Sequence, residues 1–227
     1  MDGKMKSLNV LYEDNHLIFI EKPVNVPTQA DISGDEDVLT MVKAYIKEKY
    51  NKPGNVYAGL VHRLDRPVGG VMCLAKTSKA ASRVSEQIAG RTSEKIYLAV
   101  IEGEMQKTGL LEDYLIKDPK TNTTRAQKDE RGGAKYAALS YEVLSRKGGI
   151  SLVKIRLHTG RSHQIRVQFS SRNHPLWGDN RYGHGKPGQQ IALWAHELSI
   201  DHPTTKERLT VTCPPPNKFP WNEFEIE

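Results

Sequence analysis

Two β-rich runs in the second half of the chain limit most strongly what it can fold into. Leu139–Ser145 and Ile150–His158 alternate apolar with polar residues and are joined by the four residues RKGG at 146–149. A glycine pair between two such runs is typical of a tight hairpin, which makes the two strands antiparallel neighbours. A doubly wound parallel sheet, in which helices connect the strands, is therefore disfavoured.

The rest of the chain mixes short strands with isolated amphipathic helices. Brief apolar runs bounded by turn residues predict strands, and apolar side chains spaced three and four residues apart predict helices. The predicted strands are Leu17–Glu21, Val71–Ala75, Ile96–Glu102 and Leu193–Ile200, and the predicted helices begin after Asp37 and end at Asn51, run from Ser78 to Ala89, and run from Arg161 to Ser171. This pattern predicts an α+β fold with a mixed, mostly antiparallel sheet flanked by helices.

The chain of 227 residues shows neither repeats nor a linker, so we expect a single domain over 1–227, with a core at about 10–204 and a C-terminal tail at 205–227. No apolar run approaches the ~20 residues of a membrane span, and the N-terminus lacks the apolar core of a secretion signal. Cys73 and Cys213 lie far apart, which argues against a disulfide framework or a zinc knuckle. A cytoplasmic protein is expected.

Basic residues are concentrated in one part of the chain. The net charge is +6, and the segment between Ser151 and Lys186 holds seven basic residues against one acid, Asp179. A localised basic surface is typical of nucleic-acid-binding proteins, although a solvated charged face without a partner would have the same composition. The sequence carries no glycine-rich nucleotide-binding loop, so it lends no support to a nucleotide cofactor.

The segment GLVHRLDRPVGG at 59–70 places a carboxylate between two arginines. Asp65 is flanked by Arg63 and Arg66, and nearby guanidinium groups would keep its carboxyl group ionised and available as a nucleophile or base. An aspartate in a loop also commonly accepts turn hydrogen bonds. The residue types alone therefore leave both a catalytic and a structural role open.

Two further segments contain candidate functional side chains. IRLHTGRSHQIRV at 155–167 runs from a strand through a tight turn into a helix, and the first turn of that helix would attract an anion near Arg161, His163 and Arg166. A basic amphipathic helix with a partly buried apolar side is the alternative. In KIYLAVIEG at 95–103, Tyr97 alternates with apolar neighbours on a strand, and taken alone it fits a core position better than a functional one.

Taken in order, these segments resemble the conserved blocks of the RluA-type family of RNA pseudouridine synthases. The blocks that carry the resemblance are HRLD at 62–65 with Gly70 and AKT at 75–77, KIYLAVIEG at 95–103, TGRSHQIR at 159–166, and HPLWGDNRYG at 174–183. LYED at 11–14, EKP at 21–23 and LSIDHP at 198–203 are also similar to family strands. The resemblance implies the family's catalytic fold, in a member without the N-terminal S4-like RNA-binding domain.

The resemblance implies three catalytic residues. Asp65 matches the catalytic aspartate of the family. Tyr97 matches the tyrosine that stacks on the target base, with proton transfer as an open second role. Arg166 matches the basic residue that pairs with the aspartate.

The resemblance implies five further residues as contacts to the RNA substrate: Arg63, Arg161, His163, Gln164 and Ile165. Arg63 matches an arginine that fills the space left by the flipped base, and Ile165 matches an apolar wall of the pocket. The chain departs from the commoner family pattern just after the aspartate, because Val68-Gly69 stands where many members carry Thr-Ser. A hydroxyl hydrogen bond at that position is therefore not expected.

These matches predict an enzyme that isomerises uridine to pseudouridine in structured RNA, either rRNA or tRNA. The reaction is redox-neutral and transfers no group between molecules, so no cofactor and no metal ion are expected. Two alternatives stay open: a catalytically silent RNA-binding protein, and a hydrolase that uses the same carboxylate to release free uracil. RNA is the expected partner of a monomeric protein that does not associate with membranes.

Overall fold

Eleven β-strands and three α-helices make up the regular structure of residues 8–226, the part of the chain that this computed structural model describes. In chain order they are β1 (Asn9–Glu13), β2 (Leu17–Lys22), α1 (Val38–Lys49), β3 (Gly59–Leu60), β4 (Gly69–Ala75), α2 (Ser78–Ala89), β5 (Glu94–Glu102), β6 (Thr108–Asp118), β7 (Thr123–Gln127), β8 (Lys135–Lys147), β9 (Ile150–Leu157), α3 (Gln164–Ser170), β10 (Leu193–Asp201) and β11 (Arg208–Thr212). Short 3₁₀ turns lie at Arg131–Gly133 and Trp221–Glu223.

The chain divides into two compact units that alternate along the sequence. Among the described residues, the first unit contains 8–93 and Glu197–Cys213, and the second contains Glu94–His196 and 214–226. The division between His196 and Glu197 falls inside β10. No linker marks these boundaries, which is why the sequence suggests one domain and gives no sign of the division.

The first unit is built on antiparallel strands, of which β2 and β4 are buried along most of their length. Strand β2 pairs with β1 and with β4, and β3 also pairs with β4. Every residue of β4 is buried, and α2 packs against it. Asp37 caps the start of α1, because its side chain accepts a hydrogen bond from the Thr40 amide at 3.1 Å. In this arrangement the end of β2 lies beside the start of β4, with Lys22 opposite Gly70.

The second unit is an antiparallel sheet in the order β5-β9-β8-β6-β7. The β8–β9 hairpin turns at Gly148 and Gly149, with φ of 58° and 81°. Positive φ at both central residues suits glycine and matches the twist of the flanking strands. Helix α3 packs its Val167 against Leu115 and Ala137 of the sheet.

The structure confirms the predicted α+β class and most of the predicted elements. Helix α2 has the predicted bounds, and the β8–β9 hairpin is present, although β8 begins four residues earlier than predicted, at Lys135. Helix α3 begins at Gln164 instead of Arg161, because His163 has a left-handed backbone with φ of 54°. The segment predicted as a C-terminal tail contains β11, which pairs with β10, and the buried side chains of Trp221 and Phe224.

Candidate active site

Asp65 lies in the loop between β3 and β4 of the first unit. Val61, Leu64 and Val68 of this loop bury their side chains, whereas Asp65 is half-buried. The carbonyl oxygen of Asp65 accepts a hydrogen bond from the Val68 amide at 2.9 Å, which closes a turn over the two residues between them. The buried residues on both sides of Asp65 therefore anchor the loop that carries it.

A buried lysine binds the backbone of this loop. Lys22 is 0% exposed, and its Nζ atom donates hydrogen bonds to the carbonyl oxygens of Pro23 at 2.9 Å, Arg66 at 3.1 Å and Val68 at 2.8 Å. The three N–H groups of an ammonium thus have three acceptors, and two of these belong to the residues that follow Asp65. Lys22 fixes the course of the chain directly after the candidate catalytic residue.

Two further side chains hold the part of the loop that precedes Asp65. The hydroxyl of Thr28, a buried residue, donates to the carbonyl oxygen of Leu64 at 3.0 Å. The Nε2 atom of His62 accepts a hydrogen bond from the Cys73 amide in β4 at 3.0 Å. The backbone is therefore bound immediately before and after Asp65, which limits the positions that its carboxylate can take.

Lys22 is also the buried cation that interacts electrostatically with Asp65. Burial lowers the pKa of Lys22 to about 7, the charge of Asp65 opposes that effect, and the charge of Arg66 adds to it. The Arg66 side chain forms ion pairs with Asp35 and, at 3.6 Å, with Asp31. The sequence suggested Arg63 and Arg66 as the cations around Asp65 and missed Lys22.

Tyr97 lies in β5 of the second unit, opposite Ile155 of β9. It is 9% exposed, which agrees with its alternation among apolar residues in the sequence. Its aromatic ring is therefore mostly enclosed by protein. Stacking of the Tyr97 ring on a target base stays a prediction.

The turn before α3 is held together by the side chain of Gln164. Its Oε1 accepts hydrogen bonds from the Thr159 hydroxyl at 2.8 Å and the Arg161 amide at 3.0 Å, and its Nε2 donates to the Ala138 carbonyl oxygen at 3.0 Å. Gln164 is 3% exposed. Both ends of its amide group thus bind the protein itself, and a contact of Gln164 with substrate stays a prediction.

The other residues predicted around this turn differ in exposure. Arg161 is half-buried, and its Nε donates to the Tyr136 carbonyl oxygen at 2.9 Å. His163 is buried, with its Nδ1 atom 2.6 Å from the Tyr182 hydroxyl. Ile165 is also buried, as expected for an apolar wall. The predicted anion site at the first turn of the helix needs the helix to start at Arg161, and α3 begins three residues later.

Arg166 forms a buried, bidentate ion pair with Asp179. Its Nε and Nη2 atoms donate to the two carboxylate oxygens of Asp179, both at 2.7 Å, and both side chains are buried. Its guanidinium group also lies 5.0 Å from the centre of the Tyr182 ring, a cation–π distance. Neither Asp179 nor Tyr182 was predicted as a site residue, although both lie in the HPLWGDNRYG block.

The predicted site residues are divided between the two units. Asp65 and Arg63 belong to the first, and the second contains Tyr97, Arg161, His163, Gln164, Ile165 and Arg166. Within the second unit, α3 and the turn before it bring Arg161, His163, Gln164, Ile165 and Arg166 together. The predicted pairing of Arg166 with Asp65 stays a prediction.

The basic segment identified in the sequence is only partly available for a polyanion. Arg166, Arg172 and Arg156 pair with Asp179, Asp113 and Glu94. Among residues 8–226, the other four basic residues of the segment have no carboxylate partner within salt-bridge distance: Lys154, Arg161, Arg181 and Lys186. Three of these four are exposed, so a smaller basic surface than the sequence suggests remains for RNA.

Residues 8–226 contain no cluster of three or more His, Cys, Asp or Glu side chains that could hold a metal ion. None of the helices in the same range is long and apolar enough to cross a membrane.

A family model described as RNA pseudouridylate synthase matches residues 16–171. The chain belongs to this family. The matched segment contains Asp65, Tyr97 and Arg166 together with the loop, strand and helix that carry them. The family reaction is the formation of pseudouridine from uridine in RNA. As a member of the family, the chain is an RNA-modifying isomerase.

Individual relatives of this synthase agree with the family match. An RNA pseudouridine synthase of Bacillus subtilis is 32% identical over 92% of this chain and 69% of its own length. A ribosomal large subunit pseudouridine synthase D of Neisseria meningitidis is 33% identical over 93% of this chain and 59% of its own length. Among solved structures, human RNA pseudouridylate synthase domain containing 4 has a TM-score of 0.77 and 23% identity over 92% of this chain and 88% of its own, which supports the fold.

Proposed function

We propose that this synthase converts specific uridines of large-subunit ribosomal RNA to pseudouridine, with Asp65 as the central catalytic residue. The choice of RNA is supported by relatives of Neisseria meningitidis and Pseudomonas aeruginosa that are named ribosomal large subunit pseudouridine synthase D and are 33% and 30% identical to this chain. tRNA is the second candidate substrate. The names of these relatives favour an isomerase over a silent RNA-binding protein.

The observation that carries this proposal is that all three predicted catalytic residues lie inside the matched family segment, on well-anchored backbone. Asp65 is half-buried on a loop that Lys22 and Thr28 hold, and Tyr97 and Arg166 are buried. A half-buried carboxylate remains accessible to a ribose. An enclosed ring and a fixed guanidinium group suit a site that must hold a flipped base.

The chemistry conserves all atoms of the nucleotide except the hydrogen at C5. The N1–C1′ bond breaks, the uracil turns while it is held, C5 bonds to C1′, and the C5 proton leaves to solvent while N1 gains a proton. Asp65 either attacks C1′ or removes the C2′ proton, and both routes need the ionised carboxylate. An isomerisation of this kind requires neither a cofactor nor a metal ion.

The other residues act on the base and on the charge of the site. Tyr97 stacks on the flipped uracil, an interaction worth ~1–3 kcal/mol that offsets part of the cost of extruding the base. Arg166 pairs with the Asp65 carboxylate, Ile165 forms an apolar wall, and Arg63 fills the space that the base leaves. Exclusion of water keeps the detached ribose from being hydrolysed.

We propose a cytoplasmic location and a monomeric enzyme. The location is supported by the sequence, in which two cysteines far apart, Cys73 and Cys213, do not form the cysteine-rich framework typical of small secreted proteins. Gel filtration coupled to light scattering tests the monomer, for which a mass near 25.5 kDa is expected.

The substrate is tested with RNA labelled with tritium at uridine C5 and taken from cells that lack this protein. The RNA is separated into large-subunit rRNA, small-subunit rRNA and tRNA, and each fraction is incubated with the enzyme. Tritium release from the large-subunit fraction, without free uracil, is the expected result. Release from tRNA alone would contradict the choice of rRNA, free uracil would indicate a hydrolase, and binding without release would indicate the silent RNA-binding protein.

A further inference from the structure

Asp179 is a buried carboxylate for which the reaction described above has no role. It is 1% exposed and lies in a turn of the connection between α3 and β10, where the amides of Arg181 and Tyr182 donate to its Oδ1 atom at 3.0 and 3.2 Å. Its carbonyl oxygen accepts hydrogen bonds from the amides of Gly183 and Gly185. Both the side chain and the backbone of Asp179 are thus fixed by its own turn, independently of Arg166.

The contact between this carboxylate and Arg166 determines the orientation of the guanidinium plane. The two parallel N–H···O bonds at 2.7 Å use Nε and Nη2, so Nη1 points away from Asp179. Bidentate pairs of this kind fix both distance and angle. A buried guanidinium also needs a compensating charge, and Asp179 supplies it.

Tyr182 restrains the same guanidinium group from its face. The ring centre lies 5.0 Å from the guanidinium carbon, and the Tyr182 hydroxyl accepts a hydrogen bond from the Thr124 amide at 2.8 Å and lies 2.6 Å from Nδ1 of His163. Arg166 is therefore held at one edge by a carboxylate and over one face by a ring that is itself fixed. Together these two contacts set the direction of the Nη1 edge of the guanidinium group.

We propose that Asp179 is a positioning residue of this synthase, which acts through Arg166 by setting the direction of its Nη1 edge and by neutralising its buried charge. The inference rests on the proposed function, in which Arg166 takes part in the reaction. Asp179 itself touches neither the ribose nor the base. Its removal should therefore slow the chemical step and leave RNA binding in place.

The kinetic test compares Asp179→Asn, Arg166→Met and the double variant in single-turnover tritium release. Asn has the size of Asp but lacks the charge and the second acceptor. Asp179→Asn is expected to lower the single-turnover rate about 10²-fold, the effect of a catalytic group displaced by about 1 Å, with RNA affinity within threefold of wild type. In the Arg166→Met background the same change should cost less than a further twofold, because neither a guanidinium group to orient nor a buried cation to neutralise remains.

Asp113→Asn is the matched control. Asp113 also forms an ion pair with an arginine of the second unit, with Nη1 of Arg172 at 2.9 Å, and it accepts from Gln168 of α3 at 2.8 Å. This variant should keep the rate within threefold of wild type. Equal losses from Asp179→Asn in both backgrounds, or a loss matched by Asp113→Asn, would overturn the inference in favour of a general structural role.

A second measurement does not depend on activity. The Nε–H signal of Arg166 in a ¹⁵N NMR spectrum, assigned by its absence in Arg166→Met, should be protected from exchange in the wild type and lost in Asp179→Asn while the backbone amide spectrum is retained. A protected signal in Asp179→Asn would overturn the positioning role. No tritium release by the wild type from any RNA would instead contradict the proposed function, and the NMR result would still decide whether Asp179 positions Arg166.

Discussion

The buried lysine next to the Asp65 loop gives the protein a specific pH dependence of stability. We consider the change Lys22→Met, which keeps the length of the side chain and removes the titrating group. The folded state lowers the pKa of Lys22 to about 7, whereas an unfolded lysine titrates near ~10.4. Between these two values the unfolded state binds a proton that the folded state does not, so the contribution of Lys22 to the free energy of unfolding rises with pH.

The size of the Lys22 contribution to the free energy of unfolding follows from its pKa values in the folded and unfolded states. Below about pH 7 lysine is protonated in both states, and its contribution does not change with pH. Above that point the contribution rises by up to ~1.4 kcal/mol per pH unit, which amounts to about 3 kcal/mol between pH 6 and pH 9.5. Met does not titrate, so the difference in free energy of unfolding between wild type and Lys22→Met isolates this effect.

Urea denaturation of both proteins from pH 6 to pH 9.5 measures this difference. Lys22→Met also leaves the carbonyl groups of Pro23, Arg66 and Val68 without their donor, so it should be less stable than wild type at the upper end of the range. Lys117→Met, an exposed lysine of β6, serves as the control and should show no pH-dependent difference. If the difference in free energy of unfolding between wild type and Lys22→Met stays constant within ~0.5 kcal/mol from pH 6 to pH 9.5, Lys22 keeps its proton in the folded state and the reasoning is refuted.

Two further variants test the loop and the candidate site. Thr28→Val removes the donor to the buried Leu64 carbonyl and should lower the free energy of unfolding by ~1–3 kcal/mol in urea denaturation. The control Thr121→Val, in an exposed turn, should change the free energy of unfolding by less than ~0.5 kcal/mol. Equal effects of the two variants would mean that the Thr28 hydrogen bond contributes nothing specific. Tyr97→Phe keeps the stacking face but loses the hydroxyl, so it should bind RNA normally and slow single-turnover tritium release about 10²-fold if the hydroxyl moves a proton. An unchanged single-turnover rate would leave stacking as the only role of Tyr97.

Elements with a strong local signal could be predicted from the sequence. Asp37 and Thr77 cap α1 and α2 with side-chain hydrogen bonds to residues three positions later, so the start of each helix is encoded within four residues. The glycine pair at 148–149 fixes the β8–β9 hairpin in the same local way. Strands β6 and β7 were not predicted, because buried and exposed residues do not alternate regularly in β6 and β7 is short and polar.

The site could be predicted only where one segment carries its residues. Asp65 and Arg166 were predicted as site residues because each lies within a contiguous motif. Lys22 binds the Asp65 loop from 44 and 46 positions away, and Asp179 binds Arg166 from 13 positions away, so neither partnership has a local pattern. A lysine that ends an apolar strand directly before a proline, and a lone acid within a basic segment, are the signals that could have identified them.

In the proposed function, Asp65 carries out the isomerisation. The most direct measurement is single-turnover tritium release from C5-labelled large-subunit rRNA by wild type and Asp65→Asn, with RNA affinity measured in parallel. Asn has the shape of Asp but cannot act as a nucleophile or base, so release should be abolished while affinity stays within a few-fold of wild type. Release by Asp65→Asn at a tenth of the wild-type rate or more would contradict the central role of this carboxylate.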